Sequence, residues 1–131
     1  MVSSAVLPRL DWPAEERDTF AMIIAVMELV PRADKRQALL EILRFVEDRV
    51  RTKAECLGCG VFEAADGTQQ ILYEERWRSA KDLHAHIQSA LYLRILNAME
   101  LASEEPRISF HEVSQTRSME LIEELRGASR S

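Results

Sequence analysis

Cysteine, histidine, glycine and proline are all scarce in this chain. Two cysteines among 131 residues cannot staple a fold of this size. They stand as Cys56-Leu57-Gly58-Cys59, with no second pair to complete a zinc ribbon. A thioredoxin-type pair needs its first cysteine at a helix start, where the dipole lowers its pKa, and here a strand pattern follows. If that strand is extended, the two sulfurs point to opposite faces unless Gly58 makes a turn. Small buried hydrophobes are the default for both. Three histidines do little better as ligands. His84 and His86 lie two apart on a helical pattern, about 200° around the axis, so they cannot grip one ion. His111 stands alone, and no metal site is expected. Gly58 and Gly60 precede no helix, and G-x-G-x-x-G is missing, so a nucleotide cofactor has no home.

Charge of one sign is lacking as well. The net charge is -5 with basic residues scattered among acids, which argues against a nucleic-acid partner. The apolar run from Phe20 to Val30 is too short for a bilayer and is interrupted by Glu28. Met1 to Leu10 lacks the basic start and apolar centre of a signal peptide. A cytoplasmic protein with no membrane partner is expected.

What is present is clear secondary-structure patterning in a chain of one-domain length. Residues 1–19, with Pro8 and Trp12-Pro13, read as an arm. Met22 to Val30 reads as a strand stopped by Pro31. From Ala33 to about Lys53 the residues Leu39, Ile42, Leu43, Val46 and Val50 form one helical stripe. Leu57 to Glu63 and Gln70 to Arg78 read as strands around a turn at Asp66-Gly67. Ser79 caps a helix, with Asp82 in the position of a capping-box acid. That helix runs to about Ala102 with a break near Ser89. Arg107 to Val113 is a last strand, and Ser118 to Arg126 a short helix before Gly127. The order β-α-β-β-α-β gives an α+β, ferredoxin-like domain at 20–114 and a helical tail at 115–131. Its four-stranded antiparallel sheet carries both helices on one face. Met22, Ile24 and Val26 make the other face apolar, and a second copy of the chain is its simplest cover, so a homodimer through the open sheet face is expected.

Chemistry concentrates at Tyr73-Glu74-Glu75-Arg76-Trp77-Arg78-Ser79 and the following helix. Alternation puts Tyr73, Glu75 and Trp77 on one strand face, and the helix brings His86 to the edge of its apolar stripe. Each has a plain alternative. Trp77 is a pocket wall or a core residue, and Glu75 is a partner for His86 or a member of a cross-strand ion pair. His86 is a base or a histidine tucked against a backbone carbonyl. Tyr73 is a substrate donor or an ordinary strand tyrosine.

The segments Glu75-x-Trp77-x-Ser79, Leu83-x-x-His86-x-x-Ser89 and Pro106-x-Ile108, in that order, resemble the antibiotic biosynthesis monooxygenase family of small dimeric α+β barrels. The resemblance implies a pocket between sheet and helices for a small planar aromatic, quinol or polyketide-like ring. It further implies oxidation by dioxygen with no cofactor. Carried over by position, Tyr73 and Trp77 (with Glu75 on their face) line that pocket, and His86 is the base. A haem-degrading branch shares the fold, but Met27 and Leu96 stand where it has its asparagine and its iron-binding histidine. Two rival expectations follow: a dimeric module that binds or senses a planar ligand without catalysis, and a haem-binding relative. Arg76, Arg78 or Arg94 would help hold an anionic ring if turned inward.

Overall fold

The computed structural model describes residues 22–127, so the expected arm at 1–19 and the last residues, 128–131, lie outside the described residues. The elements are β1 (Met22–Leu29), α1 (Arg36–Val50), β2 (Cys56–Glu63), β3 (Ile71–Trp77), α2 (Ala80–Ile87), α3 (Tyr92–Met99), β4 (Arg107–Val113) and α4 (Met119–Gly127). The four strands pair antiparallel in the order β2-β3-β1-β4, which is the split β-α-β arrangement the sequence predicts. Among the described residues no helix is long and apolar enough to cross a membrane.

Register decides which side chains meet. Tyr73, Glu75 and Trp77 of β3 lie opposite Met27, Ala25 and Ile23 of β1, so these six share the inner face. That face meets Leu39, Leu40, Leu43, Val46 and Val50 of α1, Leu83 of α2, and Ile95, Ala98 and Met99 of α3 in one buried cluster. The stripe on α1 is rotated slightly from the expected one: Leu40 is buried and Ile42 only half-buried. α1 also starts later than Ala33. Residues 32–35 form a turn closed by Lys35 N–H donating to the Arg32 carbonyl at 2.9 Å, and Lys35 holds the cap position with no side-chain cap bond.

The opposite face is more mixed than β1 alone implies. Ile24 and Val26 share it with Glu74 and Arg76 of β3 and with Ser109 and His111 of β4. Arg76 and Glu74 pair across it at 3.2 Å. The β2–β3 connection is a loop over 64–70, wider than the expected tight hairpin, closed by Ala64 N–H donating to the Gln70 carbonyl at 3.0 Å. Inside it Asp66 Oδ1 accepts from the Thr68 backbone N–H at 3.1 Å and hydroxyl at 2.8 Å. This Asx turn is followed through Gly67, whose φ of +89° is the only positive value among the described residues.

Two breaks place the site. Ser79 Oγ accepts from Asp82 N–H at 3.2 Å and starts α2 directly at the end of β3. The expected break at Ser89 separates α2 from α3, and Ser89 Oγ donates to the His86 carbonyl at 2.6 Å. Ser79→Ala removes the cap of α2, so it should lower unfolding free energy by about 1 kcal/mol. Urea titration followed by circular dichroism measures that loss, and a value within error of the parent would show that the cap contributes nothing.

Candidate functional site

β3 carries its site residues by simple alternation. Tyr73, Glu75 and Trp77 are 3%, 2% and 1% exposed, so a carboxylate lies between two aromatics inside the core. Burying an ionised carboxylate costs several kcal/mol unless donors replace its water. Three do so. The Tyr73 hydroxyl donates to Glu75 Oε2 at 2.6 Å, and Trp77 Nε1–H donates to Oε1 at 2.9 Å. His86, 2% exposed on α2, sets Nε2 2.9 Å from Oε2. The imidazole is held from two sides. Its centroid is 4.7 Å from the Trp77 ring, tilted by 33°, and 5.4 Å from Tyr92, which meets it edge-on. Nδ1 of His86 finds no partner among the described residues. With Glu75 ionised and His86 neutral, the ring proton therefore belongs on Nε2.

The carboxylate organises its surroundings electrically. Burial first, and the Glu75 charge second, drive the Tyr73 phenol far above its ordinary range, and the same two causes raise Tyr92. Both hydroxyls stay protonated and can act only as neutral donors or acceptors. Burial pushes the Cys59 thiol up to about 12, with its Tyr73 hydrogen bond opposing and the Glu75 charge adding. Cys56 is raised too, chiefly by burial.

These cysteines correct an expectation. The pairing shifts between Cys56 and Gly58, so Cys56 lies opposite Trp77 while Cys59 lies opposite Glu75. The bulge inserts one residue and returns both side chains to the inner face, where a regular strand would separate them. Cys59 Sγ donates to the Tyr73 oxygen at 3.4 Å, and Cys56 Sγ to the Gly58 carbonyl at 3.2 Å.

A hollow opens on the far side of this cluster, between the sheet and α3. Ala25, Met27, Tyr73, Glu75, Tyr92, Ile95, Met99, Ile108 and Phe110 are among the residues that line it. About 20 Å³ of it is open to a water-sized molecule, room for one water. Tyr73 and Glu75 thus reach it, whereas Trp77 and His86 are not among its lining residues and pack against each other behind Glu75. The three arginines turn elsewhere. Arg76 pairs with Glu74, Arg78 pairs with Asp82 at 3.1 Å, and Arg94 lies 4.5 Å over the Phe45 ring. Tyr92 is the residue that sequence reasoning missed. The spacing Tyr92, Ile95, Met99 is an i, i+3, i+7 stripe that would have placed it on the inner face of α3. Among the described residues no three His, Cys, Asp or Glu side chains gather as a metal cage.

The raised thiol has a consequence for stability. Its folded pKa lies above the ordinary value, so its contribution is complete below about pH 9 and is lost as pH rises toward 12. The urea midpoint should therefore fall between pH 8 and 11, and Cys59→Ala should remove part of that fall. Parallel curves for parent and variant would show that Cys59 has no share in it.

Known proteins agree with this architecture. A family model for antibiotic biosynthesis monooxygenases matches residues 22–98. Rv0793 from Mycobacterium tuberculosis is 25% identical, with a TM-score of 0.67 over 75% of this chain and 100% of that one. A conserved protein from Methanosarcina mazei Go1 is 18% identical, with a TM-score of 0.65 over 72% of this chain and 95% of that one. A structure named antibiotic biosynthesis monooxygenase is 11% identical, with a TM-score of 0.63 over 71% of this chain and 99% of that one. No curated protein matches. The family match runs from β1 through most of α3 and takes in the whole carboxylate cluster, so this chain belongs to the antibiotic biosynthesis monooxygenase family.

Proposed function

We propose that the chain is a cofactor-independent monooxygenase for a small aromatic, phenolic or quinol ring, working at the hollow beside Glu75. The observation that carries this reading is a buried carboxylate, 2% exposed, that reaches the wall of an apolar space and is held from behind by an equally buried imidazole 2.9 Å away. Dioxygen reacts slowly with closed-shell organic molecules, and an enolate or phenolate gives up one electron far more readily than its neutral parent. The enzyme's task is then to take a proton and keep the anion dry.

Glu75 has about four acceptor positions, and three are taken by Tyr73, Trp77 and His86. The fourth receives the substrate proton. His86 acts as a positioning residue, because its Nε2–H holds and orients the carboxylate that takes the proton. Trp77 fixes the carboxylate from the other side, and Tyr73 donates to it from the hollow. The anion passes one electron to dioxygen and recombines with the superoxide to give a peroxide. Loss of water then leaves a carbonyl where a ring C–H stood. The balance closes as phenol plus dioxygen giving quinone plus water. Met27 and Leu96 offer iron no imidazole, which supports chemistry without haem.

A ring needs more room than the hollow now offers. Met27 and Met99 line it, and their unbranched side chains can swing aside to admit one. The small resting volume also supports the second reading, a module that binds a planar ligand without turning it over. The outer sheet face, with Ile24, Val26 and Phe62, is proposed as the surface that pairs two copies.

Oxygen uptake with a panel of quinols and anthrone-like compounds separates the two readings. Glu75→Gln keeps the shape, but its amide offers one accepting oxygen to three donors. It should cut turnover by about 10²–10⁴ while near-ultraviolet circular dichroism reports an intact core. Trp77→Phe should lose less. Ring binding without oxygen uptake by the parent protein would replace the enzyme with the binding module, and full activity in Glu75→Gln would remove the base.

A further inference from the structure

Tyr92 is the one polar residue of the hollow whose side chain has no hydrogen-bond partner among the described residues. It opens α3 and is 7% exposed. Its ring meets His86 edge-on at 5.4 Å, a contact that a phenylalanine would make equally well. The hydroxyl takes no part in that packing. A buried donor left unpaired carries the full cost of its lost water. An oxygen kept in such a place points to a partner that comes from outside the chain.

The wall of the hollow defines that partner. Ile95 and Met99, about one and two turns further along α3, face it as hydrocarbon, and so do Met27, Ile108 and Phe110 from the sheet. Among the described residues its polar side chains come from Tyr73, Glu75 and Tyr92 alone. The Tyr73 hydroxyl is already committed, since it donates to Glu75 at 2.6 Å and accepts from Cys59 at 3.4 Å. Glu75 keeps one accepting position, and Tyr92 keeps one donating hydrogen. The open space beside them is about 20 Å³, the size of one water, so a single oxygen atom placed there is shared between them. The Glu75 charge reaches the Tyr92 hydroxyl and adds to the rise that burial causes, which keeps this phenol protonated beside a base.

We propose that Tyr92 is a further catalytic residue, the donor to the ring oxygen from which Glu75 takes its proton, and that the pair selects a ring hydroxyl as the reacting group. The inference rests on the proton transfer to Glu75 proposed above. The ring O–H bond breaks, its proton moves to the free position of Glu75, and the electron pair stays on the ring oxygen. That oxygen accepts from the Tyr92 hydroxyl throughout, and the bond strengthens as negative charge develops. A ring hydroxyl gives and accepts at one atom. A ring amine can give, but its lone pair is drawn into the ring and accepts poorly, so it leaves Tyr92 unpaired. Tyr92 thereby discriminates between two rings of one shape.

Tyr92→Phe tests this with para-nitrophenol and para-nitroaniline as probes, whose absorbance reports binding. The parent protein should bind the phenol about tenfold more tightly than the amine, and the variant should lose most of that ratio through the phenol alone. Because the hydroxyl has no partner in the fold to lose, the urea midpoint of the variant should equal or exceed that of the parent. Oxygen uptake with a quinol that the parent oxidises should fall by about 10²–10³. An unchanged phenol-to-amine ratio in Tyr92→Phe overturns the inference and leaves Glu75 as the base. A lowered urea midpoint overturns it too, because it assigns the hydroxyl to a bond within the fold. Selective loss of the phenol in a protein that takes up no oxygen keeps Tyr92 as the donor and removes the enzyme. A parent protein that binds neither probe overturns both.

Discussion

Everything in the inner half of this protein answers to one buried carboxylate. Glu75 accepts from a phenol, an indole and an imidazole that come from two positions on its own strand and one on the next helix. Removing any donor would expose a charge to a medium that cannot solvate it, so β3 and α2 are locked in register by electrostatics as well as by packing. The same charge keeps Tyr73 and Tyr92 protonated, and it adds to the rise at Cys59, although burial is the larger cause in each case. A core of hydrocarbon alone would be as well packed with less to lose. The retention of a charge here is therefore an argument for chemistry as much as for stability.

Much of this was legible in the sequence, because alternation and helical period are local rules. Tyr73, Glu75 and Trp77 share a face by period two, and Ser79 with Asp82 announces the helix that delivers His86. Their convergence needed no long-range information beyond the strand-to-helix turn. What was not legible depends on partners distant in sequence. The bulge at Cys56–Gly58 leaves no periodic trace, since one inserted residue resembles a phase slip, and it reverses which way Cys56 points. Tyr92 was missed because the break at Ser89 resets the helical phase, so a count carried through from His86 places it wrongly. The outer face looked apolar from β1, and Arg76, Glu74 and His111 became its neighbours only once the strand order was known.

The hollow shows how role and place can separate. Sequence placed indole and imidazole as the walls of a pocket, and the structure packs them behind the carboxylate that faces it. A histidine wedged between two aromatic rings is fixed in place, and its bond to Glu75 fixes the direction of that carboxylate. Met27 and Met99 are the unbranched residues of the hollow's lining, and Glu75 with its three donors is the fixed part, a division that fits the proposed entry of a flat ring.

The two faces of the sheet divide the labour. The inner face concentrates its polarity in the cluster around Glu75 and is otherwise largely hydrocarbon. The outer face combines Ile24, Val26 and Phe62 with charged neighbours, a composition typical of surfaces that meet other proteins. Because strands alternate, β3 serves both at once: Glu75 points in to its three donors, while Glu74 and Arg76 point out to the opposite face. The proposed pairing of two copies there would brace the strand that carries Glu75, so the surface offered for assembly and the buried cluster share the same seven residues.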